Sequence, residues 1–424
     1  MKLRESRDMR RLRVALGILL VVSCCARAEE SPSAIFDQFW RVAKEKVYPY
    51  ESVGTHFTDA QYQRLHEQVS SMANIYELTP LINRFLNALN VSHTQFYDDQ
   101  TIDFYLFRSM FDTRDIAKPQ VNHIGAQFVV DDGQYVVREV LNGYPADRAG
   151  LRRGDRVLKA NNADFHPYRS FNPEGHDVRL LVQRNEEVMT VVVSAVRENP
   201  NQSFERAISN SIRIYEKDGR RVGYVRLWSG THKDILKTFL DGVTERLGEA
   251  DAMVLDLRGG FGGAWYDYLD LFFADRKNYF SFSIINRKES LQHKAEPQIN
   301  KWYFDGPMVV LVNEGTRSGK EALAYQFKKT GRALLLGTTT QGAFSLGEAI
   351  FNDRDKPYFL LLSSAELRLD GNKIEGVGIS PDVRVEYDLN KSSPVDPQLE
   401  AAVQAAFARV PLPGRLNAIP IPPR

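Results

Sequence analysis

The spacing of apolar residues divides the chain into three regions. Between about 31 and 118, apolar residues recur at helical intervals, as where Ile82, Phe85 and Leu89 stand at i, i+3 and i+7. From about 119 to 198, short apolar runs such as QYVVREV and VMTVVVSAV are separated by turn residues, which is typical of strands. From about 220 to 388, continuous apolar strands alternate with helices, which predicts an α/β layer with buried strands.

These three textures predict an α/β multidomain protein. A chain of 424 residues is long enough for two or three domains with sizeable cores. We predict a removable N-terminal segment, a helical domain, a β-rich domain, an α/β core, and a C-terminal helix with a proline-rich tail. Their predicted bounds are 1–28, 29–118, 119–199, 200–395 and 396–424.

The N-terminus is typical of a secretory signal. A basic leader, MKLRESRDMRRLR, precedes a short apolar run, and the small residues ARA at 26–28 form a cleavage site. The run is too short to favour a spanning helix. A second interpretation stays open, because LVVSC resembles a bacterial lipobox in which Cys24 becomes a lipidated N-terminus. Both interpretations predict export, to a periplasm or beyond, with membrane attachment only in the lipidated form.

Composition excludes several classes of function. The formal net charge is +1 with interspersed signs, whereas nucleic-acid binding normally requires a basic face. Cys24 and Cys25 are the only cysteines, so cleavage after Ala28 leaves no disulfide, thiol nucleophile or cysteine metal site. The histidines are scattered without an HExxH pair, which argues against a metalloprotease. We therefore predict no metal and no cofactor.

Four short segments carry candidate chemistry. In VLVNEGTRSGKEALAYQF, Ser318 stands where a strand gives way to a helix, so it is either a helix cap paired with Glu321 or a nucleophile. DLRGGFGGAW is a glycine-rich turn after a buried strand; it lacks the lysine and hydroxyl of a phosphate loop and suits an oxyanion hole. Ser92–His93 end an apolar helix, and Glu375 opens a glycine-bearing segment. Taken alone, His93 and Glu375 are more often structural or solvated.

The β-rich region resembles a PDZ domain. YPADRAGLRRGDRVLKANN carries its signature, and HIGAQFVV looks like the loop that binds a peptide's terminal carboxylate. The resemblance implies that Gly125, Ala126, Gln127 and Phe128 bind a peptide, with the following strand edge pairing by β-augmentation. The alternative is a plain β-barrel with a glycine-rich turn.

The four segments, in their order along the chain, resemble the tail-specific or carboxyl-terminal-processing serine proteases. LNVSHT and the inserted PDZ domain also match this family, and the resemblance covers nearly all of the chain after the leader. It implies a core of the crotonase/ClpP-like fold, with Ser318 as the nucleophile. The amides of Gly319 and Gly262, or a neighbour of Gly262, would form the oxyanion hole.

One position departs from the family pattern. Many members activate the serine with a lysine, and Ala343 occupies that position here. Either the protein is inactive, another lysine substitutes, or a different catalytic set is used. We favour the last, because a related branch that includes tricorn protease uses a histidine base. The match implies His93 as the base. Glu375 would orient the imidazole or a partner group, and Ser92 would support Glu375 or position a water molecule.

The sequence thus predicts an exported serine endopeptidase that cleaves protein or peptide substrates, with its PDZ domain binding their C-termini. Two rival hypotheses stay open. The first is a catalytically inactive peptide-binding protein with a degenerate protease core, which Ala343 motivates. The second is a scaffold that uses only the PDZ domain.

Overall fold

A computed structural model describes residues 30–111, 119–171, 175–351 and 356–412 of the 424-residue chain. The predicted signal segment, both cysteines and the residues after 412 lie outside these ranges. Within the described ranges, no helix combines the length and the apolar character that a bilayer crossing requires.

The helices follow the predicted order, with many of them at the start of the chain. They are α1 (Pro32–Lys46), α2 (Glu51–His56), α3 (Asp59–Val69), α4 (Ile75–Asn87), α5 (Ile102–Phe111), α6 (Pro145–Arg148), α7 (Pro200–Ser211), α8 (Lys233–Asp241), α9 (Tyr266–Leu269), α10 (Gly319–Thr330) and α11 (Pro397–Ala408). A 3₁₀ turn spans Arg169–Phe171, and a π-helical turn, Gly242–Arg246, continues α8.

The strands belong to four sheets. They are β1 (Gln95–Asp98), β2 (Val121–His123), β3 (Ala126–Asp131), β4 (Gln134–Val140), β5 (Arg156–Ala160), β6 (Ala163–Asp164), β7 (Asp177–Arg184), β8 (Glu187–Ser194), β9 (Val196–Glu198), β10 (Arg213–Lys217), β11 (Arg220–Arg226), β12 (Ala252–Asp256), β13 (Phe282–Ile285), β14 (Ser290–His293), β15 (Met308–Val312), β16 (Leu334–Gly337), β17 (Ser345–Ile350), β18 (Tyr358–Leu369), β19 (Asn372–Lys373) and β20 (Val383–Arg384).

The N-terminal helices pack through an aromatic core. Ser31 caps the N-terminus of helix α1, and its side chain accepts a hydrogen bond from the Ala34 amide, which satisfies a free donor of the first turn. Its apolar face buries Phe36 against α3 and Phe39 against α4. Tyr358 and its neighbours on β18 belong to the same cluster, so the helical region is attached to the rest of the molecule by apolar burial.

The β-rich region forms an antiparallel sheet in the order β3-β4-β5-β7-β8, with β6 paired to β5. Its separate core is built from alternating inward residues such as Leu180, Val182 and Val193. Strands β2 and β9 pair with each other at its two ends. The chain therefore enters and leaves this region at one place, as expected of an inserted domain.

The predicted α/β layer is a sheet in the order β10-β11-β12-β15-β16-β20. Strand β10 is antiparallel to β11, and the remaining neighbours are parallel. Strands β11, β12 and β15 are fully or almost fully buried, which explains their continuous apolar sequences. Because parallel strands end at the same edge, the segments after β11, β12 and β15 meet there.

A second sheet in the core was not predicted. Strand β18 pairs with β1, β13, β17 and β19, and β14 pairs with β13. The pairing of β1 with β18 is important, because β1 belongs to the helical region and immediately follows Ser92–Thr94. It therefore carries Ser92 and His93 to the core. The predicted α/β multidomain class is confirmed, whereas the domain bounds stay predictions.

Candidate active site

Ser318 occupies a strained turn between β15 and α10. Its backbone has φ 55° and ψ −130°, a combination that residues with side chains rarely adopt and that costs about 1–3 kcal/mol. The amide of Ser318 donates to the carbonyl of Ala343 at 3.0 Å and to the carboxylate of Glu321 at 3.0 Å. These bonds hold the partly exposed Ser318 at the start of a helix, where the helix dipole favours negative charge.

Glu321 joins this turn to the loop after β16. Its two carboxylate oxygens accept from Ser318, from the amides of Gly342 and Ala343, and from the hydroxyl of Thr340. The residue is fully buried, and burial raises its pKa to about 7 although the hydrogen bonds act in the opposite direction. The helix-cap and nucleophile interpretations of Ser318 are compatible, because the hydrogen bond to Glu321 comes from the Ser318 amide and does not use the hydroxyl.

The glycine-rich turn after β12 lies directly against Ser318. A methyl group on Gly262 would come within 2.6 Å of the Ser318 Cβ and 3.2 Å of its Oγ. A methyl group on Gly319 would come within 2.2 Å of the Ala264 carbonyl oxygen. Real Cβ atoms do not tolerate such approaches, so both positions require glycine for packing reasons.

Two main-chain donors are available beside the Ser318 hydroxyl. The amides of Gly262 and Gly319 are on buried residues, and neither donates a hydrogen bond to any group in the described ranges. Buried amides are nearly always paired in folded proteins. A pair of such donors next to a serine hydroxyl suits a developing oxyanion.

A single peptide group connects Ser318 to Glu375. The carbonyl of Ala343 accepts from the Ser318 amide, and the amide of Phe344 in the same peptide group donates to Glu375 Oε2 at 2.6 Å. Ala343 itself is buried and presents no ionisable group. The structure thus brings the candidate nucleophile and the candidate glutamate to opposite ends of one peptide.

Glu375 reaches His93 through Ser92. The amide and hydroxyl of Ser92 both donate to Glu375, each at 2.7 Å, and Ser92 Oγ lies 2.8 Å from His93 Nδ1. Since the Ser92 hydroxyl gives its proton to a carboxylate, it must accept from His93. That arrangement assigns the imidazole proton to Nδ1 and leaves Nε2 with a free lone pair, as a general base requires.

The surroundings of the His93 imidazole disfavour its protonated form. Burial, and to a lesser degree the charge of Arg317, lowers its pKa to about 3. A methyl group on Gly347 of β17 would approach His93 Cβ to 3.0 Å, so β17 packs against this residue. Within the described ranges there is no hydrogen bond between His93 and Ser318, and Ser92 is the ring's hydrogen-bond partner.

The predicted peptide-binding segment abuts the same turn. Gly125 precedes β3 with φ +75°, and its amide donates to His123 Nδ1 at 3.0 Å. Ala126–Phe128 lie in β3, an edge strand of its sheet. The side chain of Gln127 accepts from the Gly260 amide at 2.9 Å and donates to the Gly260 carbonyl at 3.3 Å. The β-rich domain therefore contacts the glycine turn directly.

A buried ionic cluster reinforces this contact. Glu139 on β4 accepts from Arg226 at 2.6 Å and from Asn313 Nδ2 at 2.9 Å. Asn313 Oδ1 in turn accepts from the Gly259 and Gly315 amides. Burial alone would raise the pKa of Glu139, but arginines, with Arg226 the foremost, outweigh it and lower that pKa to about 2. Both loops that frame Ser318 are thus anchored to the β-rich domain.

Sequence reasoning missed several residues of this region. The hydroxyl of Ser345 donates to the Ser92 carbonyl at 2.9 Å, and the buried Lys320 donates to main-chain carbonyls beneath the glycine turn. Ser345 stands two positions after Ala343, and Lys320 two after Ser318, so proximity to the recognised motifs was the available signal. Among the described residues, no group of three or more potential ligands is arranged to hold a metal ion.

Two family models match segments of this chain. The profile of peptidase family S41 matches residues 221–385, and that of the PDZ domain matches 122–195. The chain is 27% identical over 319 residues to the carboxyl-terminal-processing protease of Synechocystis sp., covering 71% of this chain and 72% of that protein. It is 22% identical over 411 residues to the tricorn protease of Thermoplasma volcanium, covering 91% of this chain but 37% of that protein.

Among solved structures, the photosystem II D1 C-terminal processing protease shares the fold. The TM-score is 0.53 at 19% sequence identity, and the match covers 89% of this chain and 97% of the other. The predicted family resemblance and the PDZ resemblance are confirmed. Residues 221–385 therefore match peptidase family S41, and a match to the PDZ domain, residues 122–195, precedes them along the chain.

Proposed function

We propose that this protein is an exported serine endopeptidase in which Ser318 is the nucleophile and His93 the general base. Ser92 and Glu375 orient His93, and the amides of Gly262 and Gly319 form the oxyanion hole. One observation carries this proposal above the others: the peptide group between Ala343 and Phe344 binds Ser318 on one side and Glu375 on the other. It gives a separate histidine segment a defined position relative to the serine.

The proposed reaction begins when His93 Nε2 accepts the proton of the Ser318 hydroxyl. Ser318 Oγ then attacks the peptide carbonyl, and the Gly262 and Gly319 amides stabilise the negative oxygen of the tetrahedral intermediate. His93 returns the proton to the departing amine, which leaves an ester on Ser318. A water molecule, deprotonated by His93, hydrolyses that ester and restores the serine.

Closure of the site is part of the proposal, because His93 and Ser318 are not hydrogen-bonded in this structure. Catalytic hydrogen bonds are often long or absent without substrate and tighten in the complex. The tautomer set by Ser92 already directs the free lone pair to Nε2. Closure therefore requires His93 Nε2 and Ser318 Oγ to approach each other, and the protonation of His93 stays the same.

We propose that substrates are proteins or peptides presented by their C-termini. The relative from Synechocystis carries the name carboxyl-terminal-processing protease, and the PDZ segment at Gly125–Phe128 adjoins the glycine turn through Gln127. Among the described residues β3 is an edge strand of its sheet, which suits pairing with an extended peptide. Whether a bound C-terminus raises or lowers turnover is measurable by adding peptides with a free or an amidated C-terminus.

We propose export on the strength of the N-terminal sequence. The basic leader, apolar run and ARA site are typical of a signal segment, while LVVSC offers lipidation at Cys24. Mass spectrometry of the N-terminal peptide of the exported protein separates the two outcomes. A start at Glu29 indicates ordinary cleavage, and a diacylglyceryl group on Cys24 indicates lipidation.

The decisive experiment is labelling with a fluorophosphonate, which reacts with activated serines. Residues 29–424 should be labelled, Ser318→Ala should lose all labelling, and Ser364→Ala, which alters a half-buried serine of β18, should keep it. His93→Ala should lower the labelling rate and peptide turnover by about 10²–10⁴-fold because the base is missing. His293→Ala, on the exposed β14, is the matched control.

Equal labelling of the wild type and Ser318→Ala would refute the nucleophile assignment. A folded wild type that is never labelled, yet binds C-terminal peptides, would instead favour the inactive peptide-binding protein. Ala343 motivates this rival, since its methyl group cannot serve as a base.

A further inference from the structure

Lys320 is a buried cation with an unusual location. It is the second residue of α10, two positions after Ser318, and its side chain is completely inaccessible to solvent. Its ammonium group donates hydrogen bonds to two main-chain carbonyls, those of Leu227 at 3.2 Å and Gly259. Leu227 follows β11 and Gly259 opens the glycine turn after β12, so one side chain joins the ends of two strands.

Burying this ammonium group is costly, so its presence calls for a reason. Removing a charged amine from water costs several kcal/mol unless good hydrogen bonds compensate. Burial, and next the charge of Arg226, lowers the pKa of Lys320 to about 7, which shows that the site tolerates the charge poorly. An apolar side chain of the same length would fill this space without that cost.

Lys320 does not take over the role of the lysine that many family members have at the position of Ala343. Its nitrogen is engaged with the carbonyls of Leu227 and Gly259, and no hydrogen bond joins it to Ser318 anywhere in the described ranges. The group lies beneath the glycine turn, on the side of the carbonyls.

The main-chain peptide group that Lys320 contacts determines the path of the glycine turn. The carbonyl of Gly259 and the amide of Gly260 belong to the same peptide group; Lys320 holds its oxygen, and Gln127 accepts from its nitrogen. Gly259 and Gly260 both have positive φ, 53° and 66°, so their peptide plane is free to rotate unless both ends are fixed. In the next residues of the turn, the Phe261 amide donates a hydrogen bond to the Trp228 carbonyl, and the Gly262 carbonyl accepts one from the Gly230 amide.

We propose that Lys320 is a positioning residue of the oxyanion hole: by tying the Gly259 carbonyl to the end of β11, it holds the Gly262 amide toward the carbonyl oxygen of the bond under attack. This role rests on the proposed function, in which Ser318 is acylated. The ammonium group touches neither substrate nor Ser318 and acts through the turn.

The test compares Lys320→Met with Gln326→Met. Gln326 is equally buried, lies on the same helix, and also makes two main-chain contacts, accepting from Phe280 and donating to Asn278. Both changes replace a buried polar side chain by methionine, so both lower stability. Only Lys320 contacts the glycine turn. Acylation is followed with a fluorophosphonate and with p-nitrophenyl butyrate, at a temperature where melting curves show each variant folded.

We expect Lys320→Met to lower the fluorophosphonate rate and the kcat for the ester by about 10²-fold, the order of losing one oxyanion donor, with KM nearly unchanged. Gln326→Met should stay within about threefold of the wild type in both assays, since no oxyanion donor is displaced. Lys320→Gln keeps one donor for the Gly259 carbonyl and should lose about tenfold, an intermediate loss of the same contribution.

Three outcomes overturn the proposal. Wild-type acylation by either folded Lys320 variant removes the role, as does an equal loss in Lys320→Met and Gln326→Met. If Lys320→Met does not fold, Lys320→Gln decides alone. A wild-type protein that is not labelled sinks the proposed function itself, and this role with it; labelled wild type with unaffected Lys320 variants sinks only the role of Lys320.

Discussion

The two halves of the candidate site are built differently. The half around Ser318 lies within one sheet: the serine follows β15, the glycine turn follows β12, and the buried Glu321 fixes the loop after β16. The half around His93 comes from the helical region and reaches the core through the pairing of β1 with β18 and the hydrogen bonds of Ser92 to Glu375. The contrast suggests that the proposed nucleophile and oxyanion donors form one unit, to which the segment of the proposed base is attached.

The largest effect is expected from damage inside this unit. Gly262→Ala places a methyl group 2.6 Å from the Ser318 Cβ, so the turn or the serine must shift and the oxyanion donor is misplaced. We expect the fluorophosphonate rate to fall by 10³-fold or more, beyond the loss of one donor. Gly54→Ala, where nothing lies within 4 Å of the added methyl group, is the control. Labelling of Gly262→Ala within tenfold of the wild type would contradict the proposed unit.

A smaller effect is expected where the base is attached. Ser92→Ala removes the acceptor of the His93 Nδ1 proton, so the imidazole loses both its orientation and its preferred tautomer. We expect kcat for a peptide to fall by about 10²-fold with KM little changed, because the proton transfer suffers and the oxyanion hole does not. The exposed Ser71 provides the control substitution, Ser71→Ala. An unchanged kcat in Ser92→Ala would remove Ser92 from the site.

The smallest effect tests electrostatic communication between the halves. Burial and Arg317 lower the pKa of His93, so the base stays neutral and activity should persist well below the ordinary histidine pKa of about 6.5. Arg317→Met removes the positive charge, raises the pKa of His93, and should move the acid limb of kcat/KM to higher pH by less than about one unit. The exposed Arg64→Met should not move it. If the acid limb of kcat/KM in Arg317→Met lies at the same pH as in the wild type, Arg317 has no electrostatic effect on His93.

The same pKa has a consequence for stability. Between the folded pKa of about 3 and the unfolded value of about 6.5, the unfolded chain binds the His93 proton and the native chain does not. The contribution of His93 to the free energy of unfolding is therefore full above the unfolded pKa and falls as the pH drops through this window. His93→Gln should flatten this part of the curve of melting temperature against pH.

Local sequence was sufficient for much of the fold and for the nucleophile region. The apolar runs at β12 and β15 predicted buried parallel strands, and the glycine turn and Ser318 stood directly after them. The second sheet was missed because its strands are distant in sequence and individually ordinary. β14 is exposed throughout, and β1 has four residues, so neither carries a pattern that indicates its partner.

The environment of individual side chains was the least predictable. Lys320 at the start of an amphipathic helix resembles a solvated cation, and its complete burial depends on carbonyls about 60 and 90 positions away, which only the folded sheet supplies. The link from Glu375 through Ser92 to His93 likewise joins segments more than 280 residues apart. The family resemblance named Ser92, His93 and Glu375, but sequence spacing carried no information on their hydrogen bonds.

The hydroxyl of Ser92 has one more implication. In a pair where a carboxylate touches the imidazole, the negative charge strongly stabilises the protonated ring. Here a neutral hydroxyl separates Glu375 from His93, so the protonated imidazole gains less electrostatic stabilisation. In the proposed mechanism, we therefore expect the protonated His93 to give its proton readily to the departing amine.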